Sequence, residues 1–159
     1  MLFRSQYVTG TGPKRETCIF CDALQGREDR ESLVVHRAER NFIILNRFPY
    51  TNGHVMIVPN EHVAILSGLH EKTAAEMMQL AREVERRLSD LYHCDGINLG
   101  MNMGRAAGAG IAEHLHMHVL PRWVGDTNFM TVTGETRVLP ETLDVTWQRL
   151  RTAFGHGTA

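Results

Sequence analysis

The stretch Glu113-His114-Leu115-His116-Met117-His118-Val119-Leu120-Pro121-Arg122-Trp123 alternates three histidines with apolar residues. In a β-strand, residues i, i+2 and i+4 share one face. We therefore expect the three histidines on one side of a strand. The apolar residues that alternate with them, Leu115, Met117 and Val119, should point to the other side, into a core.

A face of three imidazoles allows more than one chemistry. Alternate residues rise by about 6.6 Å, so the outer two Cα atoms lie about 13 Å apart. Metal–nitrogen bonds are about 2.0–2.1 Å long, so one ion can bind two neighbours of the row but hardly all three. Alternatively, a neutral imidazole can attack a phosphorus or carbonyl centre and form a covalent intermediate. A row without function on a solvated strand face is the third interpretation.

Composition sets the limits for the whole chain. The 159 residues are enough for one domain with a single core. They are 43% hydrophobic and 22% charged, with a net charge of −1, which argues against a general nucleic-acid or membrane binder. No apolar run has the length of a membrane span and no signal-peptide core follows Met1. Three cysteines do not indicate a disulfide framework, so a reducing, cytoplasmic setting is expected.

Turn residues and periodicity divide the chain into elements. Residues 1–16 are interpreted as an N-terminal arm, 17–155 as a single domain and 156–159 as a loose tail. Strands are predicted at 33–36, 42–46, 54–58 and 96–102, with a possible one at 131–132. Helices are predicted at 69–93 and 140–154, and a short helix that runs into a loop at 22–31.

The two long helices each have an apolar stripe. In the first, these residues recur at three- and four-residue steps: Thr73, Met77, Ala81, Val84, Leu88 and Leu91. Met77 and Met78 are assigned to the core, His70 and His93 to the surface. In the second helix the stripe consists of Leu143, Trp147, Leu150 and Phe154.

Cys18 and Cys21 form a Cys-x-x-Cys motif near the start of the domain. Such a motif suits a zinc site, a redox pair or two packed thiols, and the motif alone does not choose among them. A glycine-rich loop, 103–111, precedes the histidines. Because glycine has no Cβ, its backbone amides can approach a phosphate closely.

Several motifs together connect the chain to a family. Residues 114–120 have the pattern His-φ-His-φ-His-φ-φ, and the stretches 18–21, 42–49, 53–59 and 98–102 follow one another in the expected order. In these motifs the chain resembles the histidine triad family of nucleotide hydrolases and transferases over residues 17–130. The resemblance implies an α+β fold: a five-stranded, mainly antiparallel sheet with one long helix and a C-terminal helix. Relatives are homodimers whose sheets join.

The resemblance also implies a metal site. Zinc-binding members of the family use the spacings of Cys18, Cys21, His62 and His114. These four residues would form a closed Cys₂His₂ zinc site, which is structural rather than catalytic. No organic cofactor is implied.

The same resemblance assigns catalytic roles. His116 would be the nucleophile, held through one ring nitrogen by the carbonyl of His114. His118 would contact the phosphate or assist the leaving group, and His54 would lie beside the triad.

Substrate-binding roles are carried over in the same way. Asn46 would bind the ribose. Asn102 and the backbone amides of Gly108, Ala109 and Gly110 would stabilise the charged transition state.

The residues around the triad narrow the expected substrate. The Leu-Pro-Arg-Trp ending and the segment 125–130 resemble enzymes of dinucleoside polyphosphates. Fragile-histidine-triad hydrolases carry Gln four residues before the first triad histidine, where this chain has Gly110. Diadenosine tetraphosphate phosphorylases have a small residue there and a Trp at the place of Trp123. We therefore expect phosphorolysis of that dinucleotide, with inorganic phosphate as the acceptor. Hydrolysis, and a catalytically silent nucleotide-binding module, are the alternatives.

Overall fold

The computed structural model describes residues 17–127 and 140–155. The predicted arm 1–16, the possible strand at 131–132 and the tail 156–159 lie outside the described residues. The helices are α1 (Ile19–Gln25), α2 (Asp29–Ser32), α3 (Glu71–Tyr92) and α4 (Leu143–Ala153). The strands are β1 (Val34–Arg37), β2 (Asn41–Leu45), β3 (Val55–Pro59), β4 (Gly96–Met101) and β5 (Met117–Arg122). Two short 3₁₀ turns span Leu66–Gly68 and Arg105–Ala107.

The five strands form one antiparallel sheet in the order β1-β2-β3-β5-β4. β2 and β3 pair without interruption from Asn41↔Pro59 to Leu45↔Val55. β5 lies between β3 and β4, so that His118 is opposite Met56 on one side and Gly100 on the other. The prediction of an α+β fold with a five-stranded antiparallel sheet is confirmed.

The two faces of the sheet are covered differently. On one face, α3 and α4 pack on a large cluster that includes Leu115, Met117 and Val119. On the other face, α1 packs on a smaller cluster through Phe20 and Ala23. The expectation that the three apolar residues alternating with the histidines enter the core is therefore confirmed.

α3 is the long helix that the periodicity predicts, and its bounds differ from the prediction by one or two residues. His70 caps its start, because the His70 side chain accepts a hydrogen bond from the Lys72 amide at 3.2 Å. His93 ends it in the left-handed conformation at φ 46°. Met77 is buried as expected, but Met78 is 51% exposed, so its assignment to the core is wrong. Neighbouring helical residues point about 100° apart, and the buried stripe follows Met77.

The first helix also differs from the prediction. α1 begins at Ile19, so Cys21 lies within it and Cys18 is its N-cap residue. The predicted stretch 22–31 in fact contains the end of α1 and most of α2. Charged residues at 22 and 27–31 obscured the start, because the apolar positions of so short a helix are too few to show a period.

The C-terminal helix packs as its stripe predicts. Leu150 and Phe154 are buried in the larger cluster, and Leu143 and Trp147 pack against it. The Trp147 indole donates a hydrogen bond to the Val34 carbonyl at 2.8 Å, which ties α4 to β1. Among the described residues, no helix is both long and apolar enough to span a bilayer.

Candidate functional site

The histidine row lies at the start of β5 and in the segment before it, on the face of the sheet that α1 covers. Regular strand geometry begins at Met117, so only His118 of the three lies within β5. His114 and His116 precede it in irregular backbone, but the alternation of side chains continues through them. His114 is 0% exposed and His116 is 4% exposed. The ring of Phe20 in α1 lies 5.4 Å from His114 and 5.1 Å from His116, measured between centroids.

His116 is held in one tautomer by the main chain. Its Nδ1 lies 2.8 Å from the carbonyl oxygen of His114. A carbonyl can only accept, so Nδ1 carries the proton and donates it. The lone pair is therefore on Nε2. Burial lowers the pKa of His116, although the bond to His114 opposes this, and the ring is neutral at pH 7. A neutral, oriented imidazole with a free lone pair can act as a nucleophile.

His54 and His118 are in direct contact, with His54 Nε2 2.9 Å from His118 Nδ1. The Tyr50 amide donates to His54 Nδ1 at 3.2 Å, so that nitrogen is an acceptor. Neutral His54 then carries its proton on Nε2 and donates it to His118 Nδ1. Neutral His118 in turn carries its own proton on Nε2. The hydrogen bond from the Tyr50 amide to His54 thereby makes Nε2 of His118 a hydrogen-bond donor.

The side chain of Asn46 lies against His54. The Phe48 amide donates to Asn46 Oδ1 at 3.0 Å, which identifies the oxygen of the side-chain amide. Asn46 Nδ2 is 3.4 Å from His54 Nδ1 and faces the same acceptor as the Tyr50 amide. Asn46 is thus placed beside the histidines, where the resemblance expects a ribose contact.

The glycine-rich loop is built around two left-handed glycines, Gly104 at φ 79° and Gly108 at φ 85°. The amide of Gly108 donates to the Arg105 carbonyl at 3.0 Å, and that of Ala109 to the Gly104 carbonyl at 3.3 Å. Two of the three amides expected to face a phosphate are therefore engaged within the loop. A cradle formed from them requires the loop to change conformation when a ligand binds.

Asn102 lies directly after β4 and is exposed. Trp123 lies beyond the other end of β5, where its ring makes an edge contact with Tyr92 at 6.4 Å. It lies five residues after His118 along the extended chain, a distance of about 16 Å. Within one chain, Trp123 does not join the histidines, because the extended strand carries it away from them.

A second cluster adjoins the row. Cys18, Cys21, His62 and His114 place their ligand atoms within 4.8 Å of one another. Cys18 Sγ and Cys21 Sγ are 3.4 and 3.7 Å from His114 Nδ1, and Cys21 Sγ is 3.3 Å from His62 Nδ1. A tetrahedral zinc with ordinary bond lengths would separate sulfur and nitrogen by about 3.6 Å. The four residues therefore fit a zinc ion.

The tautomer of His114 also fits a metal. His114 Nε2 is 2.9 Å from the Pro59 carbonyl, which can only accept. Nε2 therefore carries the proton, and the lone pair of Nδ1 faces the two thiols. Both ring nitrogens of His114 are thus engaged, Nδ1 by the thiols and Nε2 by the Pro59 carbonyl. Burial lowers the pKa of His114, which also favours the neutral ligand form.

Two groups that define this geometry were missed by sequence reasoning. The carbonyl of Pro59 and the amide of Tyr50 are main-chain groups, which carry no signal in the sequence. The third main-chain group, the carbonyl of His114, is the one that the resemblance implies. Phe20 lies in a stretch quoted for its cysteines, yet its ring packs on two of the three histidines. The available signal was a bulky apolar residue, Phe20, between the two candidate metal ligands Cys18 and Cys21, which indicates packing next to the site.

The sequence comparison assigns the family. The HIT domain profile matches residues 27–124, which is more than half of the chain. The chain belongs to this histidine triad family.

A protein of Mycobacterium tuberculosis (strain H37Rv), named AP-4-A phosphorylase, is 41% identical over 126 residues. The match covers 79% of this chain and 65% of that protein, so this chain spans less than two thirds of its relative's length.

Solved structures show the same fold. A zinc-bound histidine triad protein from Mycobacterium smegmatis superposes with a TM-score of 0.71 at 28% identity, over 87% of this chain and 94% of that one. Diadenosine triphosphate hydrolase from Plasmodium falciparum superposes with a TM-score of 0.63 over 81% of this chain and 77% of that one. At 13% identity, the latter likeness is one of fold alone.

Proposed function

We propose that this protein transfers a nucleotidyl group from a dinucleoside polyphosphate through a covalent intermediate on His116. The substrate that we propose is diadenosine tetraphosphate, and the acceptor is inorganic phosphate. One observation carries the proposal. His116 is a buried, neutral imidazole whose Nδ1–H is held by the His114 carbonyl at 2.8 Å, which leaves Nε2 as a nucleophile.

In the first step, the lone pair of His116 Nε2 attacks the α-phosphorus. The bond from phosphorus to the bridging oxygen breaks, and its electron pair leaves with ATP. The oxygen that departs is a terminal phosphate oxygen with a pKa of about 6, so it needs no strong acid. A hydrogen bond from His118 Nε2–H supports the developing charge, since the chain from Tyr50 through His54 keeps the proton on that nitrogen.

In the second step, an oxygen of inorganic phosphate attacks the same phosphorus. The nitrogen–phosphorus bond breaks, its electron pair returns to His116 Nε2, and ADP is released. The overall reaction converts diadenosine tetraphosphate and phosphate into ADP and ATP. The relative of Mycobacterium tuberculosis named AP-4-A phosphorylase, at 41% identity, supports this choice of substrate and acceptor.

The remaining site residues have supporting roles in this scheme. Asn46 binds the ribose through its side-chain amide, beside His54. Asn102 and the amides of Gly108, Ala109 and Gly110 contact the phosphates once the loop has rearranged. Within one chain Trp123 lies too far from His118 to share a substrate with it. We propose that Trp123 contacts the substrate bound at the histidines of a second copy of the chain.

We also propose that zinc occupies the cluster of Cys18, Cys21, His62 and His114. Bound there, zinc would act structurally, by linking α1 to the loop after β3 and to the histidine row. The four sulfur and nitrogen donors match the preferences of zinc. All three cysteines are free thiols, which fits a reducing, cytoplasmic setting. A redox role for Cys18 and Cys21 is the competing use, and stoichiometric zinc in the purified protein would exclude it.

Product analysis separates phosphorolysis from hydrolysis. Incubation of the protein with diadenosine tetraphosphate and phosphate should yield ADP and ATP in equal amounts. Without phosphate, the hydrolytic alternative predicts AMP and ATP at an undiminished rate. AMP as the main product in the presence of phosphate would contradict the proposed acceptor.

The covalent step has its own test. His116→Asn removes the nucleophile and should lower kcat by about 10⁴-fold or more, the scale seen when other nucleophiles are removed. Mass spectrometry of the quenched wild-type protein should detect an added AMP at His116. The matched control is His93→Asn at the exposed end of α3, which should keep wild-type turnover. A His116→Asn protein of undiminished activity would overturn the mechanism. Wild-type protein that binds AMP but is never labelled would favour the silent module.

A further inference from the structure

His114 connects the metal cluster to the nucleophile. Its Nδ1 lies 3.4 Å from Cys18 Sγ, and its Nε2 donates to the Pro59 carbonyl at 2.9 Å. Its own carbonyl accepts the Nδ1–H of His116 at 2.8 Å. One residue therefore belongs to the cluster through its side chain and holds the nucleophile through its main chain.

The backbone at this point lies before the regular ladder of β5, which begins at Met117, three residues after His114. The adjacent Leu115 amide donates to the Val63 carbonyl at 2.6 Å, in the loop that carries His62. This bond fastens the main chain beside His114 to the loop of another cluster member.

Packing gives a second connection between the cluster and His116. Cys18 and Cys21 flank Phe20 at the start of α1. The Phe20 ring contacts both His114 and His116. A displacement of α1, which the cluster ties to His114, would therefore also shift a ring that packs on the nucleophile.

We propose that zinc bound in this cluster positions the nucleophile as well as stabilising the fold. His114 is the positioning residue: zinc holds its ring, and its carbonyl then holds His116. This inference rests on the proposed function, because it assumes that His116 is the nucleophile of nucleotidyl transfer. Loss of the metal would release His114 Nδ1 from the cysteines of α1 and leave the Pro59 carbonyl as the hydrogen-bond partner of the ring. We expect the His114 carbonyl then to hold the tautomer and the orientation of His116 less tightly. Misplacement of a reacting group by about 1 Å can cost about 10²-fold in rate.

His62→Asn is the informative variant because His62 is exposed and its loss leaves no buried cavity. Its zinc content and the state of His116 are measured on the full chain labelled with ¹⁵N-histidine. In zinc-loaded wild-type protein, the His116 resonances should report a single Nδ1–H tautomer. In His62→Asn, and in wild-type protein treated with a chelator, they should report a mixture. The kcat should fall by about 10²-fold with little change in KM.

Two further variants separate positioning from a general loss of structure. His62→Cys keeps four zinc ligands of accepted type and should restore both the single tautomer and kcat. Cys94→Ser alters a thiol outside the cluster and should leave zinc content, tautomer and kcat unchanged. If His62→Asn does not fold, the chelated wild-type protein and His62→Cys still decide the result.

The outcomes distinguish this inference from the proposed function. A metal-free protein in which His116 keeps one Nδ1–H tautomer and an unchanged kcat overturns the inference alone. Zinc-loaded protein with one tautomer that no dinucleotide ever labels overturns the proposed function alone. In that case, the loss of the single tautomer in His62→Asn would still support the coupling.

Discussion

The three triad histidines are the same residue type, yet each has a different nitrogen available. A carbonyl at Pro59 leaves His114 with a lone pair on Nδ1, and a carbonyl at His114 leaves His116 with one on Nε2. His118 accepts from His54 and so keeps a proton on Nε2. The three proposed roles, zinc ligand, nucleophile and hydrogen-bond donor, therefore follow from what each ring contacts, since isolated imidazoles would not differ.

The histidine row should make stability depend on pH. Burial lowers the pKa of His118 from 6.5 to about 4, and His116 nearby adds to the effect. As pH falls below 6.5, the unfolded chain takes up a proton that the folded chain still excludes. Stability should thus be level above pH 6.5 and decline from there towards pH 4.

His118→Asn removes this contribution, so its free energy of unfolding should decline less than that of the wild type over the same interval. Urea unfolding at pH 7 and pH 5 measures the difference. His93→Asn, which alters an exposed histidine, should keep the wild-type decline. Equal declines in His118→Asn and wild type would show that His118 is not held neutral by burial.

At the scale of elements, the β2–β3 turn is shaped by its contact with α3. Gly53 has φ 76°, and a Cβ added there would lie 2.9 Å from Tyr92 Cε2 and 3.0 Å from Leu88 Cδ2. Tyr92 is fixed by a hydrogen bond to Glu141 and by the Arg149 guanidinium 4.6 Å above its ring. The turn that delivers His54 to the triad can therefore approach the helix only without a side chain at 53.

Gly53→Ala should be destabilising for two reasons, a strained φ and an overlap with α3. We expect a loss of about 2–4 kcal/mol, the sum of these two effects. Gly125→Ala is the matched control, because Gly125 has φ 82° but nothing within 4 Å of an added Cβ. It should lose only about 1–2 kcal/mol from strain. Chemical denaturation measures both, and equal losses would mean that Tyr92 and Leu88 adapt to the methyl group.

Periodic patterns predicted the long helix α3 well and the short helix α1 poorly. The 22 residues of α3 contain enough turns for its apolar stripe to stand out, and its bounds were nearly right. Met78 lies outside that stripe, and its assignment to the core was wrong because it followed residue type and not period. The seven residues of α1 contain two turns, so its start at Ile19 was not recognised.

At the scale of the whole molecule, β4 is an edge strand of the described sheet. Leu99 in this strand is 48% exposed, and Met103 just after it is also exposed. An unpaired strand edge with exposed apolar side chains is suited to pairing with another strand. We propose that two copies join there into a homodimer, in keeping with the family resemblance.

Leu99→Lys should place a charge in that contact and weaken the dimer. Sedimentation velocity over a range of concentrations should give a dimer for the wild type and a larger share of monomer for the variant. Val124→Lys, at a 91% exposed position beyond β5, is the control and should stay dimeric. A wild-type protein that is monomeric at every concentration would contradict the proposal.

From the residues alone, local periodicity and turn residues determined most helices and strands, and the alternating histidines and paired cysteines marked candidate site residues. The α+β fold class and the full ligand set of the second cluster followed from the family resemblance that the sequence carries. The division of the chain into an arm, one domain and a tail stays a prediction.

Only the tertiary structure decided what each histidine can do. It confirmed the contact of His116 with the His114 carbonyl that the resemblance implies, added the Pro59 carbonyl that leaves the Nδ1 lone pair of His114 facing the thiols, and separated Trp123 from both. It also showed amides of the glycine loop bonded to the loop itself. Sequence patterns specify side chains, whereas these outcomes depend on main-chain donors and acceptors that nearly every residue has. Their partners are known only after segments that are distant in sequence have packed together.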